Sequence, residues 1–240
     1  MHGCAATRPA RAYASTAMAL LMAAAVVRAT PVPDQPQATG TISGRVTLTT
    51  RMRGVPIATS AYAPRTVTRQ GSPGAPEMRS VIVYLKDVTF QGTLSATPAS
   101  IRQEQESFSP RVVAVTRGST VDFPNFDPYF HNVFSLSRTA TFDLGRYPSG
   151  QTRTRRFDRP GLVKVYCHIH SQMSATILVL DHPYFTTPGD DGSFTLAGVP
   201  PGEYTLVGWH ERVGEQLSPV TVRAGSTTAA AISLPVNDAP

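Results

Sequence analysis

Val165-Tyr-Cys-His-Ile-His-Ser-Gln-Met173 is the stretch on which the reading of this chain turns. Cys167, His170 and Met173 follow the spacing C-x2-H-x2-M, compact enough for one short loop. His131, in His131-Asn-Val-Phe134, lies far enough upstream to come from the end of a separate strand. One thiolate, two imidazoles and one thioether could therefore converge on a single metal. Two His and one Cys with a weak axial Met are the donors of a copper site that transfers electrons. The sulfur ligands suit Cu(I) and the imidazoles suit both oxidation states. His168 is a second candidate for the place of His170. Adjacent residues in a strand-like stretch point to opposite faces, which favours His170 and leaves His168 at the surface.

Working outward, Val163 and Val165 share parity with Cys167, so the thiol faces the same apolar interior while Lys164 and Tyr166 face away. Ile177-Leu-Val-Leu180 reads as a buried strand. Val112 to Val115, the Arg117-Gly118 turn and Val121-Asp-Phe123 give two short strands with a tight reversal. Val81-Ile-Val-Tyr-Leu85 is a β-rich core strand. Ser95 to Ser107 is polar and carries no clear element, and Arg51 to Pro76 reads as a long irregular loop. After Asp190 alternating segments recur between Gly and Pro turns. No sustained helical period follows the N-terminal region, so the fold class is all-β, a sandwich or barrel.

The chain has 240 residues and a formal charge of +6. Arg8 and Arg11, the apolar run Ala17 to Val27 and the small residue Ala29 read as an export signal over 1–29, cut after Ala29. The run is too short for a membrane span, and no later stretch is apolar enough for one. Removing three Arg and no acid leaves about +3 (6 minus 3), a modest balance that does not imply nucleic acid. Export also removes Cys4, leaving Cys167 alone. A lone thiol in an oxidising compartment forms no internal disulfide, and metal ligation is a reason to keep it. The expected location is periplasmic or secreted.

Phe108-Ser-Pro110, Val121-Asp-Phe-Pro-Asn125, His131-Asn-Val133, Pro160-Gly161 and Tyr166-Cys167-x2-His170 run in the order seen in cupredoxins. Over Thr97 to Asp181 the chain resembles that blue-copper family, and the C-x2-H-x2-M loop is most similar to the amicyanins, against a longer gap in plastocyanins. The resemblance implies an eight-stranded Greek-key sandwich holding one type 1 copper ion. His131, Cys167, His170 and Met173 become its ligands. Asn132 is expected behind them, its N–H towards the Cys167 sulfur and its side chain tying the two ligand loops. Pro128-Tyr-Phe130 and Phe134 are expected to exclude water.

The flanks have a looser resemblance. Gly40-Thr-Ile-Ser-Gly-Arg-Val46, Val81 to Leu85, Asp191-Gly-Ser-Phe194 and Val199-Pro-Pro-Gly-Glu-Tyr-Thr-Leu206 look like strands of a carboxypeptidase regulatory-like, transthyretin-like sandwich. The expected organisation is signal 1–29, linker 30–40, N-terminal strands 41–90, copper domain 97–182 and C-terminal strands 186–236. The copper domain is inserted into, or joined to, the second sandwich. Residues 97–182 are expected to hold the ligands and both of their own apolar faces, so that this segment alone is soluble and binds copper, with marginal stability.

These readings imply a non-enzymatic carrier of single electrons. Its partner is a redox protein, a cytochrome or a dehydrogenase being the expected kind. Arg153, Arg155, Arg156 and Arg159 either dock an acidic partner or keep an exposed strand soluble. The alternatives are a copper chaperone or storage protein, or a structural sandwich with a decayed site. His182 and His210 are expected to be structural or solvated.

Overall fold

A computed structural model of the chain describes residues 38–50 and 77–237, with Met1 and Gly3. The expected export signal, most of the linker and the irregular stretch 51–76 lie outside the described residues. The chain divides into Met1–Pro36 and Gln37–Pro240, and all the described strands lie in the second unit. No helix among the described residues is long and apolar enough to cross a membrane.

The protein is all-β. In chain order the strands are β1 (Gly40–Thr50), β2 (Val81–Lys86), β3 (Ala99–Ser100), β4 (Arg102–Glu104), β5 (Ser107–Ser109) and β6 (Val112–Thr116). There follow β7 (Thr120–Pro124), β8 (His131–Ser137), β9 (Ala140–Tyr147), β10 (Thr152–Arg156), β11 (Gly161–Tyr166) and β12 (Ser174–Leu180). Last come β13 (Phe185–Thr186), β14 (Ser193–Val199), β15 (Gly202–His210), β16 (Gly214–Val222) and β17 (Thr227–Asn237).

Among the described residues four of the five sheets stack around three apolar cores, and the two-stranded β4-β5 adds Phe108 to one of them. A five-stranded sheet, β6-β12-β11-β8-β9, faces a three-stranded one, β10-β7-β3. Between them lie Phe108, Val121, Phe123, Val133, Tyr147, Val163, Val165, Ile177 and Cys167. A four-stranded sheet, β13-β2-β15-β16, faces β14-β1-β17 across Ile42, Val83, Leu85, Leu196, Leu206, Val222 and Leu234. The third core joins the five-stranded sheet to the four-stranded one through Val112, Leu178, Leu180, Ile82, Tyr84, Val207 and Trp209.

This stacking explains the two most apolar segments of the sequence. Strands buried on both faces read as continuous hydrophobic runs rather than alternations. In β2, Val81, Val83 and Leu85 fill one core while Ile82 and Tyr84 fill the next. In β12, Ala175, Ile177 and Val179 face the thiol's core while Leu178 and Leu180 face β2 and β15. The expectation that 97–182 holds both of its own apolar faces therefore fails. Its β6-β12 face is completed by residues outside that range.

The strands that precede residue 97 pair with strands that follow residue 186. β2 runs antiparallel to β15, with Leu85 opposite Leu206. β1 lies between β14 and β17, antiparallel to the first and parallel to the second. The polar stretch 95–107, unreadable in sequence, supplies β3 and the β4–β5 hairpin. The Arg-bearing strand β10 is exposed at every position and forms the edge of its sheet. Arg153 lies over the Tyr147 ring and Arg155 over the Phe142 ring, and charge on an edge strand disfavours pairing with another chain.

Candidate metal centre

His131 opens β8, and Cys167 follows directly on β11. The inward alternation Val163, Val165, Cys167 carries the sulfur into the core, where all three are buried. The β11–β12 register puts Tyr166 opposite Ser174, so residues 167–173 must double back as a tight loop. Cys167 N–H donates to the Met173 carbonyl at 3.4 Å, and Met173 N–H donates to the His170 carbonyl at 3.0 Å. That closure sets Cys167 and His170 on the same side as His131.

The three potential donor atoms lie within 4.8 Å of one another. Cys167 Sγ is 3.8 Å from His131 Nδ1 and 3.9 Å from His170 Nδ1, and the two Nδ1 atoms are 3.1 Å apart. Nitrogen and sulfur donors bind a divalent ion at about 2.0–2.3 Å, so two of them 120° apart stand roughly 3.5–4 Å from each other. The two sulfur–nitrogen distances fall in that range, and the shorter nitrogen–nitrogen distance corresponds to an angle of about 100° at such bond lengths, so one ion could be shared by all three. Met173 is buried in the same apolar core as Cys167. His168 points away from this triangle. Its ring stacks on Phe134 at 3.7 Å and its Nε2 lies 3.6 Å from Asp143 on the exposed side.

Asn132 ties the two ligand segments, its Oδ1 accepting the His168 N–H at 2.7 Å and its Nδ2 donating to Asp143 at 3.3 Å. Among the described residues no hydrogen bond runs from the Asn132 backbone to the sulfur; the side chain makes the link instead. Of the expected aromatic shield only Tyr129 stands beside the donors. Phe130 is 55% exposed, and Phe134 is taken up by His168 and Tyr166. Tyr129 is the ring beside the donors, 5.4 Å from His131 and 5.7 Å from His170.

Asp127 and Glu106 escaped the sequence reading. His131 Nε2 donates to Asp127 at 2.8 Å in a fully buried contact. Burial pushes the Asp127 carboxyl up, but N–H groups of Glu106, His131 and Gln105 outweigh it and hold it below the ordinary carboxylate range. Glu106 accepts from Tyr129 Oη at 3.3 Å and Gln172 Nε2 at 3.0 Å, and its carboxylate is 4.0 Å from His170 Nε2. A carboxylate four residues before a candidate His was a usable signal for Asp127. Nothing in sequence pointed to Glu106, which reaches the site across sheets. His182 and His210 are both buried, and His210 bonds Glu77 at 3.0 Å, so both are structural and neither is solvated.

The sequence family described as Polysaccharide lyase family 4, domain II matches residues 169–230, about a quarter of the chain. A comparison with curated proteins found no match. Among solved structures the chain is similar to a Cu-containing nitrite reductase from Thermus scotoductus SA-01, at 23% identity and TM-score 0.34. That likeness covers 40% of this chain and 25% of the reductase, so the chain spans about a quarter of that enzyme's length. It is similar to a purple cupredoxin from Nitrosopumilus maritimus, at 22% identity and TM-score 0.31, over 34% of this chain and 98% of the other. A reduced amicyanin variant matches at 19% identity and TM-score 0.31, over 33% of this chain and 79% of the other.

Proposed function

We propose that the chain is an exported type 1 copper protein that passes single electrons between redox proteins, with His131, Cys167, His170 and Met173 holding one copper ion. The observation that carries this reading is the triangle of His131 Nδ1, Cys167 Sγ and His170 Nδ1, with the first two residues buried and His170 half-buried. Bound there, copper would supply a one-electron couple. The protein's own contribution is rigidity. Two of the donors sit at strand ends, the loop is closed by backbone hydrogen bonds, and Asn132 ties that loop to β8. Ligands held in place rearrange little on electron transfer, and such support is what a metal site needs beyond its ligands.

His170 is the less buried of the two imidazoles, and its ring lies 5.7 Å from that of Tyr129. Phe126, Tyr129, Phe130 and Ile169 are exposed large side chains within the two ligand-bearing segments. A redox partner docking on them would come close to His170. Burial of His131 and Cys167 favours retention of the ion over delivery, which argues for a carrier of electrons rather than of copper. On this reading residues 1–29 act as an export signal, and the chemistry takes place in the periplasm or outside the cell.

The organisation that goes with this reading is a copper sandwich, 97–182, set between the second and third strands of another sandwich made from 41–90 and 186–236. The pairings β1–β14 and β2–β15 support it. The second sandwich acts as a rigid support in this scheme and has no catalytic role.

Addition of Cu(II) to the purified chain tests the function. The expected result is an intense blue or purple colour with narrow copper hyperfine splitting in electron spin resonance. A colourless adduct, or no stoichiometric uptake, sinks the proposal.

A further inference from the structure

His131 has two ring nitrogens, and only one can face the metal. A neutral imidazole carries its proton on one nitrogen and a lone pair on the other, and the partner of the first decides which is which. Here Nε2 lies 2.8 Å from Asp127 Oδ2, and Nδ1 faces Cys167 and His170. The opposite tautomer would aim an N–H into the donor triangle and leave Asp127 Oδ2 facing a bare nitrogen.

Asp127 is itself held from outside the ligand loops. The N–H of Gln105 donates to Oδ1 at 2.7 Å and the N–H of Glu106 to Oδ2 at 2.9 Å. Asn125 Oδ1 accepts the Asp127 N–H at 3.0 Å, and Asn125 Nδ2 donates to the Tyr129 carbonyl at 2.8 Å, which fixes the turn that carries the carboxylate. Gln105 and Glu106 are the turn of the β4–β5 hairpin, with φ of 54° and 51°. Two successive side chains in the left-handed region cost energy and persist only where surrounding contacts over-determine them. Here those contacts are the two N–H groups aimed at one carboxylate. The same turn puts the Glu106 carboxylate 4.0 Å from His170 Nε2.

We propose that Asp127, oriented by the Gln105–Glu106 turn, is a positioning residue that fixes His131 as an Nδ1 metal donor and lowers the reduction potential of the bound copper. The effect on potential rests on the copper reading above; the effect on the tautomer does not. A negative charge behind an imidazole strengthens it as a donor and favours the more positive oxidation state. Partners of this kind are worth about tenfold to a hundredfold in metal affinity.

The test uses the full chain and two substitutions. In the metal-free protein, long-range nitrogen–proton NMR is expected to show His131 protonated at Nε2. In Asp127→Ala that fixed tautomer is expected to be lost. In Asp127→Asn, which keeps the shape and removes the charge, the copper-loaded chain is expected to shift about tenfold towards Cu(I) at a fixed ambient potential. For a one-electron couple that is about 59 mV upward. If the Ala variant loses its β-sheet circular dichroism, the Asn variant decides alone. An unchanged His131 tautomer in folded Asp127→Ala, or an unchanged potential in Asp127→Asn, overturns the proposal. Wild-type protein that takes up no copper sinks the copper reading instead, while the metal-free NMR still judges the tautomer.

Discussion

The Nδ1 atoms of His131 and His170 lie 3.1 Å apart across a half-buried gap flanked by the Cys167 sulfur. With His131 in the proposed tautomer, Asp127 accepts the hydrogen bond from its Nε2–H and its Nδ1 is a bare acceptor. In the metal-free chain with neutral rings, His170 must then bridge that gap with an Nδ1–H. For His170 to ligate through Nδ1 its proton must leave that nitrogen. Its Nε2, facing Glu106, is the place for it. The triangle is thus pre-shaped for an ion, and the two imidazoles enter it by different routes.

Cys167→Ser removes the thiolate and should abolish the intense visible band of the copper-loaded chain, because only a thiolate donates strongly enough to give it. Fold should survive, since the side chain changes by one atom at the rim of its core. Visible absorption of the copper-titrated variant checks this. Retention of the colour would move the site elsewhere.

The two histidines that flank Ile169 should behave differently. His170→Ala removes a donor from the triangle and is expected to weaken Cu(II) retention by more than about tenfold, more than the loss of a mere supporting partner. His168→Ala removes a surface ring stacked on Phe134 and should leave the spectrum unchanged. Competition with a chelator, followed spectroscopically, measures both. The reverse pattern would exchange their roles.

Much of the site was legible in sequence because its donors are chemically rare and closely spaced. The parity of Val163, Val165 and Cys167 was enough to send the thiol inward, and adjacency was enough to separate His168 from His170. Of the supports, Asn132 was read and Asp127, four residues before His131, could have been, but the long-range one was not legible. Glu106 belongs to a hairpin whose polar sequence has no period, and its approach to His170 depends on sheet packing. The apolar runs at β2 and β12 were read correctly as buried strands. That each serves two cores was not read, because a continuous run says that both faces are covered and not by what.

Acidification should destabilise the chain before its carboxylates titrate. Burial holds both His182 and His210 below the ordinary imidazole value of 6.5. Asp181 and the Leu85 backbone oppose this at His182; Glu77 and Glu211 oppose it at His210, where Arg212 reinforces it. The unfolded chain therefore binds protons below about pH 6.5 that the folded chain refuses, so stability is full above that value and falls as pH drops towards the folded values. Urea unfolding midpoints between pH 8 and 5.5 should decline steadily, and less so in His210→Gln. A flat or rising midpoint on acidification would contradict this account.

Excision of 97–182 should give an aggregating fragment. In the intact chain Val112, Leu178 and Leu180 are covered by Ile82, Tyr84, Val207 and Trp209, all outside that range. Burying a Val or Leu fully is worth about 1.5–3 kcal/mol. Uncovering these three side chains therefore costs roughly 5–9 kcal/mol, an upper estimate on extended-chain reference areas. Whole domains are stable by only about 5–15 kcal/mol, so a unit this small is left with little or nothing. The exposed face is also contiguous and apolar, the kind of patch that drives association. Replacing Leu178 and Leu180 with Lys and Thr in the fragment should restore solubility without restoring full stability. The measurements are sedimentation and thermal melting of the fragment beside the full chain. A soluble, monomeric wild-type fragment that melts at the same temperature as the full chain would show that the shared core contributes little.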